Sequence, residues 1–293
     1  MNPRTVLVTG ATGRIGGAIA RDLIARGHRV RGLTRNPSGP RAERLSRLGA
    51  EMVRGTYEDG SSMERALAGM ESVVAVGAEF GSRLECGQGM SLIDAAAERG
   101  VTHYVLVSAA GADRAVGVPE FESKAFVERY LLASTLPYTI VGPAFLMENL
   151  LAGDLLAGLQ NGKWSLPLPA HRRLQTSGVV DVGTFAALVI ERREPFLSRR
   201  FDVASDELTP AEASRVLSRV THHPIEYEAA PERPAERASP RLFAWLDEYG
   251  CVSDIASLRR EYPQVGWHTF ESWANTQDWS VLDVPREQVA HAG

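Results

Sequence analysis

Short apolar runs and longer amphipathic segments alternate along the first half of the chain. Ile15, Ile19 and Leu23 recur every fourth residue, which is the spacing of one helical face. Gly27 follows where a helix C-cap glycine belongs, so residues 14–26 are predicted to form a helix. Runs rich in β-branched residues predict six strands, at residues 5–8, 28–34, 51–54, 72–76, 103–108 and 138–141. Helices are predicted between them, at residues 14–26, 42–48, 61–67, 90–99 and 119–134.

This alternation predicts βαβ units, in which a parallel sheet carries helices on both faces. Six strands in about 140 residues match the size of a complete doubly wound sheet that binds a nucleotide. A capping box at residues 61–64 begins the third predicted helix. We therefore expect an α/β protein in which residues 1–150 form a doubly wound parallel sheet of the Rossmann type.

Beyond residue 143 the pattern is less regular, and residues 151–293 are expected to form a small α+β substrate-binding region. Within it, segments at about residues 176–204 are expected to return to the Rossmann sheet. Thr209 is the predicted N-cap of one helix. Helices are predicted at residues 145–159, 183–191, 210–220, 241–249 and 254–262, and strands at 179–182, 201–204 and 224–227.

A glycine motif with the spacing Gly-x-x-Gly-x-x-Gly lies between the first predicted strand and the first predicted helix. Gly10 allows a sharp turn, Gly13 lets the backbone approach a pyrophosphate, and Gly16 lets the helix pack closely on the sheet. The helix N-terminus adds N–H groups and a partial positive charge. The alternative is a glycine-rich turn without a ligand. The residues predicted to line this dinucleotide site are Gly10, Thr12, Gly13, Arg14, Ile15 and Gly16.

The end of the second predicted strand bears on the choice between NAD and NADP. An NAD site usually carries an acidic residue there, and this strand instead ends Leu33-Thr34-Arg35-Asn36-Pro37. The Arg35 guanidinium suits a 2′-phosphate, and Arg14 is a candidate second cation for the same group. NADPH is therefore expected, with NAD less favoured, although both arginines could instead be ordinary solvated side chains.

Composition excludes several classes of partner. The net charge is −4 and the pI is about 6.0, so the basic excess of a nucleic-acid binder is missing. No apolar stretch approaches the length of a membrane span, and the N-terminus lacks the apolar region of a signal peptide, so a cytoplasmic protein is expected. Cys86 and Cys251 are expected to be reduced thiols, although a disulfide stays open, and no metal site is expected.

Motifs spread over almost the whole chain resemble the NmrA-like group of atypical short-chain dehydrogenases. The glycine loop is shared by many dehydrogenases, so the later motifs carry the assignment to this group. They are Gly32-Leu33-Thr34-Arg35-Asn36-Pro37, Leu92-Ile93-Asp94-Ala95-Ala96, Phe121-Glu122-Ser123-Lys124, Leu136-Pro137-Tyr138-Thr139-Ile140, Phe145-Leu146-Met147-Glu148-Asn149 and Thr269-Phe270-Glu271-Ser272-Trp273.

The resemblance implies a Rossmann domain, a cleft beside a small C-terminal region, and a preference for NADPH. Members include reductases of quinones, dyes and phenolic ethers, and also proteins that bind the cofactor as redox sensors. By resemblance, Tyr57 lies against the adenine or packs in the core, and Pro143 and Phe145 border the nicotinamide. Gly77, after the fourth predicted strand, completes the expected cofactor residues.

Short-chain dehydrogenases typically place a tyrosine four residues before a lysine on one helical face. Lys124 fits the lysine and is expected to bind the nicotinamide ribose, or else to be a surface lysine paired with Glu120 or Glu128. Glu120 occupies the tyrosine position, either as a proton donor or as an acid that complements the helix dipole. Ser108 lies where the family tends to place a hydroxyl, although it could equally have no chemical role.

Without the tyrosine acid, an acceptor that delocalises negative charge is favoured over a simple ketone. The sequence thus predicts an NADPH-dependent reductase of a quinone, azo dye, enone or similar molecule. The alternatives are an NADPH-binding redox sensor of the NmrA type and, less favoured, an isomerase or epimerase. A small-molecule substrate is the expected partner, and a homodimer is left open. Candidate substrate-pocket residues are Phe80, Phe145, Met147, Trp164, Phe243 and Trp245.

Overall fold

Parallel strands form the central sheet in a computed structural model that describes residues 3–77, 83–114, 117–230, 240–250 and 252–283. Its seven strands are β1 (Thr5–Val8), β2 (Arg29–Thr34), β3 (Glu51–Arg54), β4 (Ser72–Val76), β5 (His103–Val107), β6 (Tyr138–Pro143) and β10 (Arg199–Val203). They lie in the order β10-β6-β5-β4-β1-β2-β3, and every neighbouring pair is parallel. The doubly wound Rossmann sheet predicted from the sequence is therefore confirmed.

Helices cover both faces of this sheet. The helices are α1 (Arg14–Ala25), α2 (Pro40–Arg47), α3 (Gly60–Leu67), α4 (Arg83–Glu98), α5 (Pro119–Ala133), α6 (Gly153–Leu159), α7 (Val179–Glu191), α8 (Pro210–Thr221), α9 (Pro240–Tyr249), α10 (Ile255–Glu261) and α11 (Phe270–Asn275). In β1, Val6 and Val8 pack with Ile19 of α1 on one face, whereas Leu7 packs with Leu92 of α4 on the other. This alternation explains why the strand is apolar throughout, because both of its faces are buried.

The chain returns to the Rossmann sheet after an excursion of about fifty residues, as crossover connections between parallel strands allow. Helix α7 packs against α1, where Gly183 lets the two backbones approach: a Cβ at Gly183 would lie 3.0 Å from the carbonyl carbon of Ala18. Strand β10 then pairs with β6 at the edge of the sheet. Helix α7 and strand β10 thus belong to the Rossmann layers and not to the smaller region.

The remaining elements build a smaller region beside the carboxyl ends of the strands. Its strands are β7 (Phe145–Leu146), β8 (Lys163–Trp164), β9 (Leu174–Ser177), β11 (Asp206–Leu208) and β12 (Glu226–Tyr227). They form a three-stranded sheet, β11-β9-β7, and the pair β12-β8. Together with α6, α8 and α11 they enclose an apolar core of their own. The Thr209 cap is confirmed, since its Oγ accepts the Glu212 amide at 3.2 Å.

Two elements predicted beyond residue 143 are wrong. Residues 179–182 are the first turn of α7 and not a strand, because a helix buried on nearly all sides is as apolar as a buried strand. The predicted helix 145–159 is instead β7, a 3-10 turn at Met147–Leu151 and α6. Gly153, with a φ of 57°, interrupts the helical path there.

The capping box predicted at residues 61–64 is also wrong. Helix α3 begins earlier, and the Asp59 carboxylate caps it by accepting the amides of Ser61 and Ser62 at 3.0 and 3.2 Å. Helix α4 begins at residue 83, seven residues before the predicted start. Gly87 and Gly89 obscure the helical pattern in that first part of α4.

Candidate functional site

The glycine motif forms a tight cradle at the carboxyl end of β1. Gly10 has a φ of 59°, a conformation that other residues rarely adopt. The Gly13 amide donates to the Gly10 carbonyl at 2.8 Å, and this bond closes the turn. A Cβ at Gly16 would lie 2.3 Å from the same carbonyl oxygen, so only glycine fits there. The motif therefore brings the start of α1 directly against the end of β1.

The start of α1 is open to an anionic ligand. Gly13 is the N-cap of this helix and has no side chain with which to cap it. Amides of a first helical turn have no acceptor within the helix, and they carry the positive end of its dipole. Strand β1 lies between β4 and β2, where the order of strands reverses, and such a switch point is where open α/β sheets bind ligands. The cradle thus fits the diphosphate of a dinucleotide.

Arg35 and Arg14 lie in different surroundings. Arg35 directly follows β2, is exposed, and lines an open groove with Arg54 and Arg65. Arg14 donates to the Glu148 carbonyl at 2.9 Å and to Asn149 Oδ1 at 3.2 Å. The structure thus turns Arg14 towards the 3-10 turn after β7. Both arginines are exposed, and Arg35 is the one that lies at the end of β2.

Lys124 is not a surface lysine. Its ammonium lies 2.7 Å from Oε1 of Glu85, and the two side chains are only 10% and 6% exposed. The partner comes from α4, so the pair joins two neighbouring helices of the same face. Ser123 adds a second link, because its hydroxyl donates to Oε2 of Glu85 at 2.6 Å. Glu120 is also buried, in the first turn of α5, at 6% exposure.

Ser108 belongs to a separate buried network. Its hydroxyl donates to Oε1 of Glu128, and the guanidinium of Arg200 contacts the other carboxylate oxygen at 3.0 Å. Arg200 also pairs with Asp202 on the same edge strand and donates to the Ala109 carbonyl at 2.7 Å. The hydroxyl hydrogen of Ser108 is therefore engaged by a carboxylate, which leaves the oxygen of Ser108 as an acceptor.

A small cavity lies between these two networks. It has a volume of about 30 Å³, and its lining includes Tyr57, Tyr104, Ser108 and Lys124. The Tyr57 hydroxyl donates to the Val76 carbonyl at 3.1 Å, and burial raises the pKa of this phenol. Burial also raises the pKa of Tyr104 well above its usual value. Tyr57 packs against the core, as one of the two sequence interpretations had it, and its contact with adenine stays a prediction.

The proposed pocket residues do not form one open pocket. Met147, Trp164 and Phe243 are at most 5% exposed and pack in the core of the C-terminal region. Phe145 is half-buried and borders an apolar cavity of only about 10 Å³ with Met147 and Trp164. Trp245 instead packs edge-on against Phe121 at 5.0 Å. Phe80 lies outside the described residues.

Glu148 lies in the sequence motif that follows β6, and its contacts were not predicted from the sequence. Its carboxylate accepts the Val179 amide at the start of α7 at 3.0 Å and the indole N–H of Trp273 at 2.9 Å. Burial raises the pKa of Glu148. This residue thus connects the 3-10 turn, which Arg14 contacts, to α7 and α11.

Among the residues that the structure describes, no helix is long and apolar enough to cross a membrane. The described ranges also contain no group of three or more histidine, cysteine, aspartate or glutamate residues that could hold a metal ion.

The strand order and the glycine cradle at the switch point define a nucleotide-binding protein of the Rossmann type. The model of the NmrA-like family matches residues 2–244. The chain belongs to this family, as the sequence motifs predicted.

Known proteins that resemble the chain share the fold. The transcriptional regulator NmrA, solved with NADP, superposes with a TM-score of 0.76 at 20% identity, over 94% of this chain and 95% of that one. NmrA has also been solved with NAD. The Escherichia coli NADPH-dependent quinone oxidoreductase QOR2, solved with NADPH, gives 0.76 at 20% identity, over 92% and 98% of the two chains.

A curated relative supports the same family. The NmrA-like family domain-containing oxidoreductase hkm9 of Aspergillus hancockii is 32% identical over 165 residues. The match covers 52% of this chain and 49% of the relative, so the chain spans about half the length of the relative that it matches.

Proposed function

We propose that this protein is an NADPH-dependent oxidoreductase that transfers a hydride to a conjugated small molecule such as a quinone, an azo dye or an enone. The observation that carries the proposal is the buried ammonium of Lys124, held by Glu85 beside the carboxyl ends of β4 and β5. The glycine cradle lies at the same edge of the sheet, since β1 is the neighbour of β4. A cofactor seated on the cradle would therefore extend towards Lys124.

The residues present fit this cofactor. The amides at the start of α1 would hold the diphosphate, Arg35 the 2′-phosphate and Lys124 the hydroxyls of the nicotinamide ribose. Gly77, Pro143 and Phe145 follow or end strands at the same edge. When bound, NADPH supplies the hydride. The protein's own part is then to orient the nicotinamide.

The surroundings of Ser108 and Glu120 favour a conjugated acceptor. Glu120 stands where related dehydrogenases have a tyrosine, and the hydroxyl hydrogen of Ser108 is engaged by Glu128. The tyrosine phenol that usually donates a proton to a simple ketone is therefore missing at this position, and Glu120 as a proton donor stays a prediction. A quinone or an enone delocalises the charge, so water can deliver the proton.

The second candidate is a redox sensor that binds NADPH without turning it over. The same absence of a tyrosine before Lys124 favours it. The fold likeness to NmrA, a regulator solved with NADP, agrees with it. The two candidates differ in whether the nicotinamide meets an acceptor.

The two candidates are distinguished by following the oxidation of NADPH through its absorbance while quinones, azo dyes and enones are supplied as acceptors. We expect turnover with at least one acceptor, and we expect Lys124→Met to abolish most of it. The exposed Lys163→Met serves as the control and should leave turnover unchanged. Micromolar binding of NADPH with no turnover of any acceptor would contradict the reductase and support the sensor.

A further inference from the structure

Glu85 contacts Lys124 and lies against Gly77, which are both candidate cofactor residues. The sequence pattern assigned Glu85 no role. Glu85 lies in the first turn of α4 and is only 5% exposed. One carboxylate oxygen pairs with Lys124 at 2.7 Å, and the other accepts the Ser123 hydroxyl at 2.6 Å. Both oxygens are thus fixed by residues of α5.

The close approach of Gly77 adds a third contact. A Cβ at Gly77 would lie 2.8 Å from Oε1 of Glu85, so the backbone after β4 runs directly against the carboxylate. A larger residue there would displace the carboxylate that holds Lys124. The end of β4, the start of α4 and the middle of α5 therefore meet at this one carboxylate.

A lysine side chain needs such an anchor to act at a defined place. Its four-carbon stem has many rotamers, and ordering it costs conformational entropy. A buried ammonium also needs an opposite charge, because desolvation otherwise disfavours the charged form. The Glu85 carboxylate provides both, as it neutralises the ammonium and fixes one of its three N–H donors. The other donors are then oriented by the first.

We infer that Glu85 is a positioning residue that holds the Lys124 ammonium in the orientation in which it binds the nicotinamide ribose. Glu85 acts through Lys124 and does not touch the cofactor. The inference rests on the proposed role of Lys124, and it adds a residue from a different helix to the cofactor site.

Binding of two ligands by calorimetry tests this role. NADPH carries the nicotinamide ribose, whereas adenosine 2′,5′-bisphosphate retains the adenine, its ribose and the 2′-phosphate but lacks the nicotinamide half. We expect Glu85→Gln to raise the Kd of NADPH about tenfold, the scale of one lost hydrogen bond to a charged group. The Kd of the bisphosphate should change less than about twofold, because Lys124 does not reach it. A general structural defect would weaken both ligands.

Three further variants complete the test. Asp94→Asn removes a carboxylate from the same helix α4, where it accepts the Tyr130 hydroxyl at the surface, and it should leave both affinities unchanged. Lys124→Met should show the same selective loss as Glu85→Gln. The double variant should lose no more than Lys124→Met alone, because the two residues act as a unit. If Glu85→Gln fails to fold, Glu85→Asp keeps the charge, shortens its reach, and should weaken NADPH selectively.

Several results would overturn the inference. They are an equal loss of both ligands, no loss of either, or a Glu85→Gln effect that adds in full to that of Lys124→Met. A wild-type protein that binds neither NADPH nor the bisphosphate would overturn it together with the proposed function. If Glu85→Gln selectively weakens NADPH binding but the wild-type protein turns over no acceptor, only the proposed reductase activity would be refuted.

Discussion

Charged side chains of the candidate site are held by partners that are distant in sequence. Lys124 pairs with Glu85, which is 39 residues away, and Arg200 contacts Glu128 across 72 residues. Both pairs are largely buried. Removing one member of such a pair leaves an uncompensated buried charge, which costs more than the pair itself contributes. At the residue scale, the site is therefore sensitive to single substitutions on either side of each pair.

Arg35 provides a test of cofactor preference at this scale. We expect Arg35→Ala to raise the Kd of NADPH between about tenfold and a hundredfold, since a charged hydrogen bond contributes about 1.5–3 kcal/mol. NADH lacks the 2′-phosphate, so its Kd should change little. Calorimetry with both nucleotides measures the two effects. Arg29→Ala, an exposed arginine at the opposite end of β2, is the control, and an equal effect of Arg35→Ala on both nucleotides would refute the 2′-phosphate role.

Several residue-scale predictions could be made from the sequence because they depend on local geometry. The glycine spacing predicted the cradle, in which Gly16 lies against the Gly10 carbonyl. The partners of Lys124 and Ser108 could not be predicted, because they come from other elements of the fold. Glu85 lies on α4, and Glu128 lies on α5, where Arg200 of β10 also contacts it. Burial of Met147 and Trp164 in a core likewise depends on which elements pack over them.

At the scale of elements, β5 contains a buried histidine that contacts β6 and affects stability. His103 is fully buried in β5, and its Nε2 lies 2.9 Å from the Thr139 hydroxyl of β6. Burial, together with the charges of Arg193 and Arg4, lowers the pKa of His103 from 6.5 to about 3. The folded protein thus excludes a proton that the unfolded chain takes up below pH 6.5. Stability from the neutral ring is present above that pH and is lost as the pH falls towards 3.

As the pH is lowered from 6 to 4, we expect the contribution of this histidine to the free energy of unfolding to decrease by about 1.4 kcal/mol per pH unit. His103→Gln should show a shallower decrease, because the glutamine does not titrate. Urea unfolding at a series of pH values measures both slopes. His171→Gln, at an exposed position, should keep the wild-type slope, and a variant at position 103 with that same slope would contradict the prediction.

The elements also show where pattern and structure diverge. Strands β1 to β6 were predicted at nearly their observed places, because β-branched runs bounded by polar turns mark each of them. The inner strands β1, β4 and β5 are buried along most of their length, whereas β3 at the edge of the sheet is only partly buried. Helix α7 was divided into a strand and a helix, because nearly all of its residues are buried and no polar face marks its period. The start of α4, which carries Glu85, was missed because its glycines weaken the helical pattern.

At the scale of the whole molecule, the C-terminal half stabilises the Rossmann sheet from one side. Phe185 of α7 is fully buried and lies 5.5 Å from Phe201 of β10 and 5.2 Å from Tyr262, measured between ring centroids. Trp267 joins the same core. These aromatic residues all follow position 150 in the chain, and they pack in the core on one face of the Rossmann sheet.

We expect Phe185→Ala to lower the free energy of unfolding by about 3–5 kcal/mol, because it leaves a large cavity in this core. Urea unfolding followed by tryptophan fluorescence and by far-ultraviolet circular dichroism should give one shared transition. Val180→Ala, at a position 57% exposed on the same helix, should change stability by less than about 0.5 kcal/mol. Separate transitions for the two signals would contradict a shared core.

The sequence alone determined the class of fold and the place of the nucleotide cradle. Both follow from short-range physics: alternating burial creates strands and helices, and glycine spacing permits one particular turn. Only the tertiary structure decided the partners of Lys124 and Ser108, the burial of the predicted pocket residues and the joining of residues 179–182 to helix α7. These features depend on contacts between residues far apart in the chain, which no local pattern of apolar and polar positions specifies.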